Sequence, residues 1–220
     1  MADYRSEHAR SIADPEGFWQ EQAGLVDWIR RPTTVLDDER PPFYRWYPDG
    51  VLNTCFNALD RHVVAGHGDR AALIYDSAVT GTKRTYTYAQ LLDEVATFAG
   101  ALRGFGVEKG DRVVIYMPMI PEAVIAMLAC ARVGAPHSVV FGGFSAEALR
   151  FRVEDTGAKV LVTTDGQHRR GAVVPVKADA DEACSGDNAI EHVVVVRRTS
   201  RPGRTDLPRG TRGTRSKDED

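Results

Sequence analysis

The sequence predicts an α/β fold, part of a doubly wound parallel sheet, and three observations carry that expectation. Four short apolar runs, at residues 112–117, 138–141, 160–164 and 192–196, have the composition of buried strands. Between the first three lie segments of ten or so residues whose apolar positions keep helical spacing. These helical segments open on capping residues or a proline and close on glycine. Strands alternating with helices of this length imply right-handed crossovers, which cover a parallel sheet on both faces.

The elements follow in order. Residues 1–56 hold nine of the eighteen aromatic residues, including Trp19, Trp28 and Trp46, with neither a period of two nor a sustained period of 3.6. This segment is expected to be irregular and to wrap onto the body, because rings left in water are costly. Residues 57–64 read as a helix start, and 71–75 and 82–86 as two short strands. Thr87 with Gln90 three positions on is a capping-box signature. Leu91, Val95, Phe98, Ala99 and Leu102 then keep helical spacing until Gly104 and Gly106. After the strand at 112–117, Pro121 suits a helix N1, with Val124, Ile125, Leu128 and Ala131 periodic and Gly134 closing the run. A strand at 138–141 leads to Ser145 as N-cap, a helix over 146–156 and Gly157 as C-cap. Residues 57–196 thus read as one incomplete α/β domain.

From residue 197 the text changes. The only aliphatic residue left is Leu207, so the segment 197–220 cannot bury enough surface to order itself and is expected to be a disordered basic tail. Eight basic residues against four acidic ones give it +4, which leaves −7 on residues 1–196 of a chain whose total is −3. A basic RNA- or lipid-binding tail is the functional alternative. The closing Asp218, Glu219 and Asp220 and the lack of aromatics for base stacking favour a merely solvated tail.

Composition narrows the class. With 220 residues, 27% charged, 43% hydrophobic and 8% aromatic, the chain is globular rather than collagenous, coiled-coil or wholly disordered. The small net charge exerts no overall pull on nucleic acid or anionic lipid. Cys55, Cys130 and Cys184 are scattered, which fits neither a disulfide framework nor a cysteine metal site, and points to a reducing cytoplasm. No secretory signal opens the chain, and the longest apolar run, 123–131, is too short to span a bilayer. A soluble cytoplasmic protein is expected, with no membrane or nucleic-acid partner.

Open parallel sheets bind ligands beyond the carboxyl ends of their strands, so the residues after Met117, Phe141 and Thr164 are the candidates. Phe141, Gly142, Gly143, Phe144 and Ser145 stand out. Paired glycines let backbone approach a phosphate or an adenine ring, and Ser145 opens a helix. A plain strand-to-helix turn needs the same residues, so the motif alone leaves both readings open. In the second loop Arg169 and Arg170 are adjacent; arginine forks suit phosphate oxygens, but an exposed pair also serves as ordinary surface. His62, His67 and His137 pair with no nucleophile or metal ligand by spacing. No glycine-rich loop before residue 197 is followed by lysine, so no triphosphate cradle is recognisable.

The text from about Trp46 to Val196 resembles the N-terminal part of the AMP-forming short-chain acyl-CoA synthetases, the acetyl- and propionyl-CoA synthetase group of the adenylate-forming superfamily. The matching stretches are residues 52–62, 86–88, 109–122, 126–132 and 137–145. Phe18, Trp19 and Trp28 look like the family's leading segment. Residues 75–83 and 55–59 look more like propionyl-CoA synthetases, with an acetyl-CoA synthetase fragment as the alternative.

The resemblance implies an acid–thiol ligase that joins a short-chain carboxylate to ATP, releases pyrophosphate and passes the acyl group to CoA. Phe141, Gly142 and Gly143 align with family residues near the CoA adenine and phosphates. Arg169 falls where the family places the first arginine of a phosphate contact. The second is missing from its usual place, and Arg170 is the candidate substitute. No catalytic residue is assigned. ATP and magnesium are implied by the family, but the phosphate loop and the C-terminal domain that hold them are expected to lie outside this chain. The entire chain is therefore expected to be a truncated piece, with the tail from 197 read out of frame. A non-catalytic CoA- or nucleotide-binding module and a nonfunctional fragment are the competing readings.

Overall fold

The structure is a computed structural model that describes residues 3–199. It opens with helices α1 (Tyr4–Ala13) and α2 (Pro15–Gln22), a regularity that the sequence did not announce. Neither helix buries a residue, so neither carries an apolar stripe to be read. The junction does carry a local signal: Asp14 accepts a hydrogen bond from the Gly17 amide at 3.0 Å and Pro15 takes N1. Strands β1 (Leu36–Asp37) and β2 (Arg45–Trp46) form a two-stranded antiparallel pair. The first 56 residues are thus partly helical rather than irregular throughout.

A wide-wound helical stretch follows, with π-type turns at Phe56–Asp60 and Val63–His67 and Gly66 at φ 79° breaking the second. Strands β3 (Ala71–Ser77) and β4 (Thr82–Thr87) make an antiparallel hairpin. Helix α3 (Tyr88–Gly104) opens on the expected capping box: Thr87 Oγ1 accepts from the Gln90 amide at 3.2 Å, and Gln90 Oε1 from the Thr87 amide at 3.0 Å. Its buried stripe is Leu91, Val95, Ala99 and Leu102.

The main sheet is built from β5 (Val113–Met117), β6 (His137–Phe141), β7 (Val160–Thr164) and, after two short strands, a last parallel strand at His192–Val196. Helix α4 (Pro121–Val133) joins β5 to β6, and Gly134 ends it in the left-handed region at φ 83°. Helix α5 (Ala146–Thr156) joins β6 to β7, capped by Ser145 and closed by Gly157 at φ 56°. Beyond β7 come a ribbon of β8 (Gln167–Arg169) and β9 (Ala172–Val174) and then α6 (Val176–Ala183); the strand His192–Val196 is β10. The sheet order is β10-β7-β5-β6 with every pair parallel.

Residues 163–171, read from sequence as a plain loop, contain the first strand and the turn of a hairpin that runs from Gln167 to Val174. Arg170 and Gly171 occupy its two turn positions with φ 51° and 78°. Positive φ at both fits the twist of a two-residue hairpin.

Two cores lie back to back across the sheet. Val113, Ile115, Met117, Val160 and Val162 pack toward α3 and α4, while Val114, Tyr116, Val140 and Leu161 pack toward α5 and α6. The expected cover on both faces holds at the centre and fades at β10, where Val193 and Val195 keep 39% and 37% of their surface exposed. The sequence break at residue 197 is not where the structure changes. The Arg198 and Thr199 amides donate to Asp165 Oδ1 at 2.7 and 3.1 Å. The rest of the tail, 200–220, lies outside the described residues. Among the described residues no helix is long and apolar enough to cross a membrane.

Candidate functional site

Strand β5 leaves the sheet toward the α4 face and β7 toward the α6 face, so the chain parts between two neighbouring strands. Such a switch point opens a crevice at the carboxyl ends of the strands. Beside it lie Pro118, Asp165 and, at the start of β8, Gln167. The Phe141–Ser145 loop stands next to it at the end of β6.

That loop turns tightly, with the Phe144 amide bonded to the Phe141 carbonyl at 3.0 Å. Ser145 Oγ then accepts from the Ala148 amide at 3.3 Å, so α5 carries its own cap. Phe141 and Phe144 each keep 53% of their surface exposed and meet edge to face with centroids 6.3 Å apart. The hairpin at Arg170–Gly171 carries Arg169 back over this loop. Its guanidinium carbon stands 5.9 Å from the Phe141 ring centroid.

The two glycines have separate reasons. A Cβ on Gly143 would come within 2.5 Å of Arg169 Nη1 and 2.8 Å of Phe141 Cε1. A Cβ on Gly142 would stand 3.0 Å from Gln167 Oε1 and 3.4 Å from the Met117 carbonyl carbon. Neither glycine is needed for a left-handed backbone; both are needed for close approach.

The structure therefore brings Phe141, Gly142, Gly143 and Arg169 together. Arg170 sits at the hairpin turn. Among the described residues no hydrogen bond, ion pair or ring contact joins it to the loop.

Two residues of this region escaped the sequence reading. Gln167, 5% exposed, donates from Nε2 to the Gly142 carbonyl. Tyr116, fully buried, donates to the Phe144 carbonyl at 2.8 Å. A tyrosine inside an apolar strand was a usable signal, since a buried phenol needs a partner. A lone glutamine in a post-strand loop offered none.

Other polar groups are spent on structure. His62 packs on Tyr88 with centroids 4.8 Å apart, and His137 lies exposed at the start of β6, where partial desolvation lowers its pKa. Burial pushes the thiols up, Cys130 to about 12, so none is a ready nucleophile. A cavity of about 580 Å³ lies between the N-terminal segment and the body, walled by Trp28, Ile29, Asn53 and Phe56. Of its charged residues Asp27, Asp60 and Arg132, the last two are paired with each other at 2.6 Å. Among the described residues no group of three His, Cys, Asp or Glu is placed to hold a metal ion.

A doubly wound domain with paired glycines, an exposed aromatic and an arginine beyond its strands falls in the class of open α/β sheets whose ligands sit at the carboxyl ends of the strands. Comparison with known proteins gives the family. The family model described as AMP-binding enzyme matches residues 60–217, and that of the acetyl-coenzyme A synthetase N-terminus matches residues 4–58. The chain belongs to the AMP-binding enzyme family.

It is 54% identical over 192 residues to the acetyl-coenzyme A synthetase of Streptomyces coelicolor, covering 87% of this chain and 29% of that protein. It is 52% identical over 204 residues to the acetyl-coenzyme A synthetase of Mycobacterium bovis, covering 88% and 31%. The counterpart in Rubrobacter xylanophilus is 53% identical over 192 residues, at 87% and 30%. The chain thus spans under a third of the length of these relatives.

Proposed function

We propose that this chain is the N-terminal part of an AMP-forming short-chain acyl-CoA synthetase, and that its own share of the chemistry is part of the CoA nucleotide surface. The meeting of Phe141, Gly143 and Arg169 beyond β6 carries this reading. The exposed ring offers a face for adenine, the guanidinium a fork for phosphate, and the missing Cβ a close approach. The whole enzyme would join a carboxylate to ATP with magnesium and transfer the acyl group to CoA.

The names of the relatives support acetate as the acid, while residues 75–83 and 55–59 support propionate. Scattered thiols support a cytoplasmic setting. The family resemblance implies that the donors for the ATP phosphates lie outside the matched part, so the 220-residue chain alone is proposed not to form acyl-adenylate. ATP–pyrophosphate exchange driven by acetate or propionate above a no-enzyme control would overturn that.

CoA titration of the chain by NMR tests the site. A partial surface should bind no tighter than about millimolar, or ~4 kcal/mol. Arg169→Ala should weaken binding and flatten its salt dependence. Gly143→Val should push the arginine and the Phe141 ring apart and block binding without changing charge. No shift at residues 141–145 and 169 in millimolar CoA would sink the reading.

A further inference from the structure

We propose that Gln167 and Tyr116 are positioning residues that clamp the Phe141–Ser145 loop from beneath, holding it in the shape in which it meets its ligand. The ligand half of this proposal rests on the CoA reading above; the clamp itself does not.

The loop turns two of its carbonyls inward. Gly142 O receives Gln167 Nε2, and Phe144 O receives the Tyr116 hydroxyl at 2.8 Å. The two donors come from opposite sides of the switch point, Tyr116 from β5 and Gln167 from the segment after β7. Both are buried, at 0% and 5% exposure, so a loop that swung away would strand a donor out of reach of water.

Tyr116 is held protonated and able to donate: burial first, then the Asp179 carboxylate at 3.4 Å, pushes its pKa up to about 12. The clamp also explains the first glycine. A Cβ on Gly142 would crowd the clamp, because Gln167 Oε1 packs 3.0 Å from where it would sit and the amide would have to give way. Gly143, one residue on, is left facing Arg169 and Phe141. One glycine therefore serves the clamp and the other the recognition surface.

The test uses the 220-residue chain with two variants that keep volume and remove one donor each, Gln167→Met and Tyr116→Phe. Losing a hydrogen bond moves a carbonyl ¹³C resonance upfield. Gln167→Met should therefore shift the Gly142 carbonyl, and Tyr116→Phe the Phe144 carbonyl, in the absence of any ligand. Each should also weaken CoA binding about fivefold to tenfold, the effect of one hydrogen bond. Carbonyl resonances that stay at their wild-type positions overturn the clamp. Shifted carbonyls with unchanged CoA affinity overturn its role in recognition. A wild-type chain that ignores millimolar CoA overturns the nucleotide reading alone, and the carbonyl shifts still decide the clamp. Circular dichroism of both variants checks that the fold survives, and either variant suffices if the other fails to fold.

Discussion

The parallel-sheet body and the N-terminal segment are held together by different forces. In the body every residue of β5 and β7 is buried, and Val95, Leu102, Ile115, Leu149 and Leu161 retain no exposed surface. In the first 56 residues only Ala23, Pro32, Val35 and Cys55 are buried among those described. Phe43 keeps 80% of its surface exposed and Trp46 48%, so the aromatic wrapping expected from the sequence buries only part of its rings.

What fixes the segment is a set of polar ties. The Tyr47 hydroxyl donates to the Trp19 carbonyl at 2.7 Å and Trp28 Nε1 to the Ala23 carbonyl at 2.8 Å. Asn57 exchanges hydrogen bonds with the backbone of Asp27 at 2.8 and 2.9 Å, and Arg61 reaches the Leu25 carbonyl at 2.8 Å. Apolar packing leaves a period in the sequence, and side-chain-to-backbone ties leave none.

The largest expected effect attacks the packed side of this contrast. Leu102, wholly buried on α3 against the sheet, should cost about 2–5 kcal/mol on replacement by alanine, through lost burial and an unfilled cavity. Urea unfolding measures it. A loss below about 1 kcal/mol would mean that packing at this position is not what holds the body together.

A smaller effect should come from the seam. Asp60 and Arg132 pair at 2.6 Å with side chains 20% and 27% exposed, joining the wide-wound helical stretch to α4. Asp60→Ala strands a half-buried guanidinium and should cost about 2 kcal/mol, while adding Arg132→Met should recover most of it. If the double variant is no better than the single one, Asp60 acts by something other than its charge.

The same contrast explains what was legible beforehand. The bounds of α3, α4 and α5 could be read because Thr87, Pro121, Ser145, Gly134 and Gly157 mark them and buried stripes fill them. Helices α1 and α2 have no buried face, so they left no apolar period, and the one local signal, at the Asp14–Pro15 junction, went unread. Arg170–Gly171 lacks the usual asparagine or aspartate of a two-residue hairpin, so β8 and β9 were missed. At the site, Phe141, Gly142 and Gly143 follow a readable strand. The approach of Arg169 to them depends on that unread hairpin, and only the family resemblance connected the two. Gln167 acts through a single contact to a backbone carbonyl, which no spacing rule encodes.

The smallest expected effect tests whether the N-terminal ties act locally. Asp49 Oδ2 accepts from the Thr33 hydroxyl at 2.6 Å and the Thr33 amide at 2.9 Å, and Oδ1 accepts from the Thr34 amide at 3.2 Å. The Thr33 hydroxyl first, and then these amides, hold the Asp49 carboxyl at about 2, below its ordinary 3.8. A folded-state value below the unfolded one means that the tie is fully present above pH 3.8 and is lost as the pH falls through about 2. The Thr33 and Thr34 amide resonances should therefore titrate together near pH 2. Asp49→Asn should remove that titration and leave the urea midpoint of the body unchanged, because the group is solvent-accessible and its contacts stay within residues 33–49. If the amides of Val114 and Leu161 move in the same step, the segment and the body melt as one unit, and the division drawn between them fails.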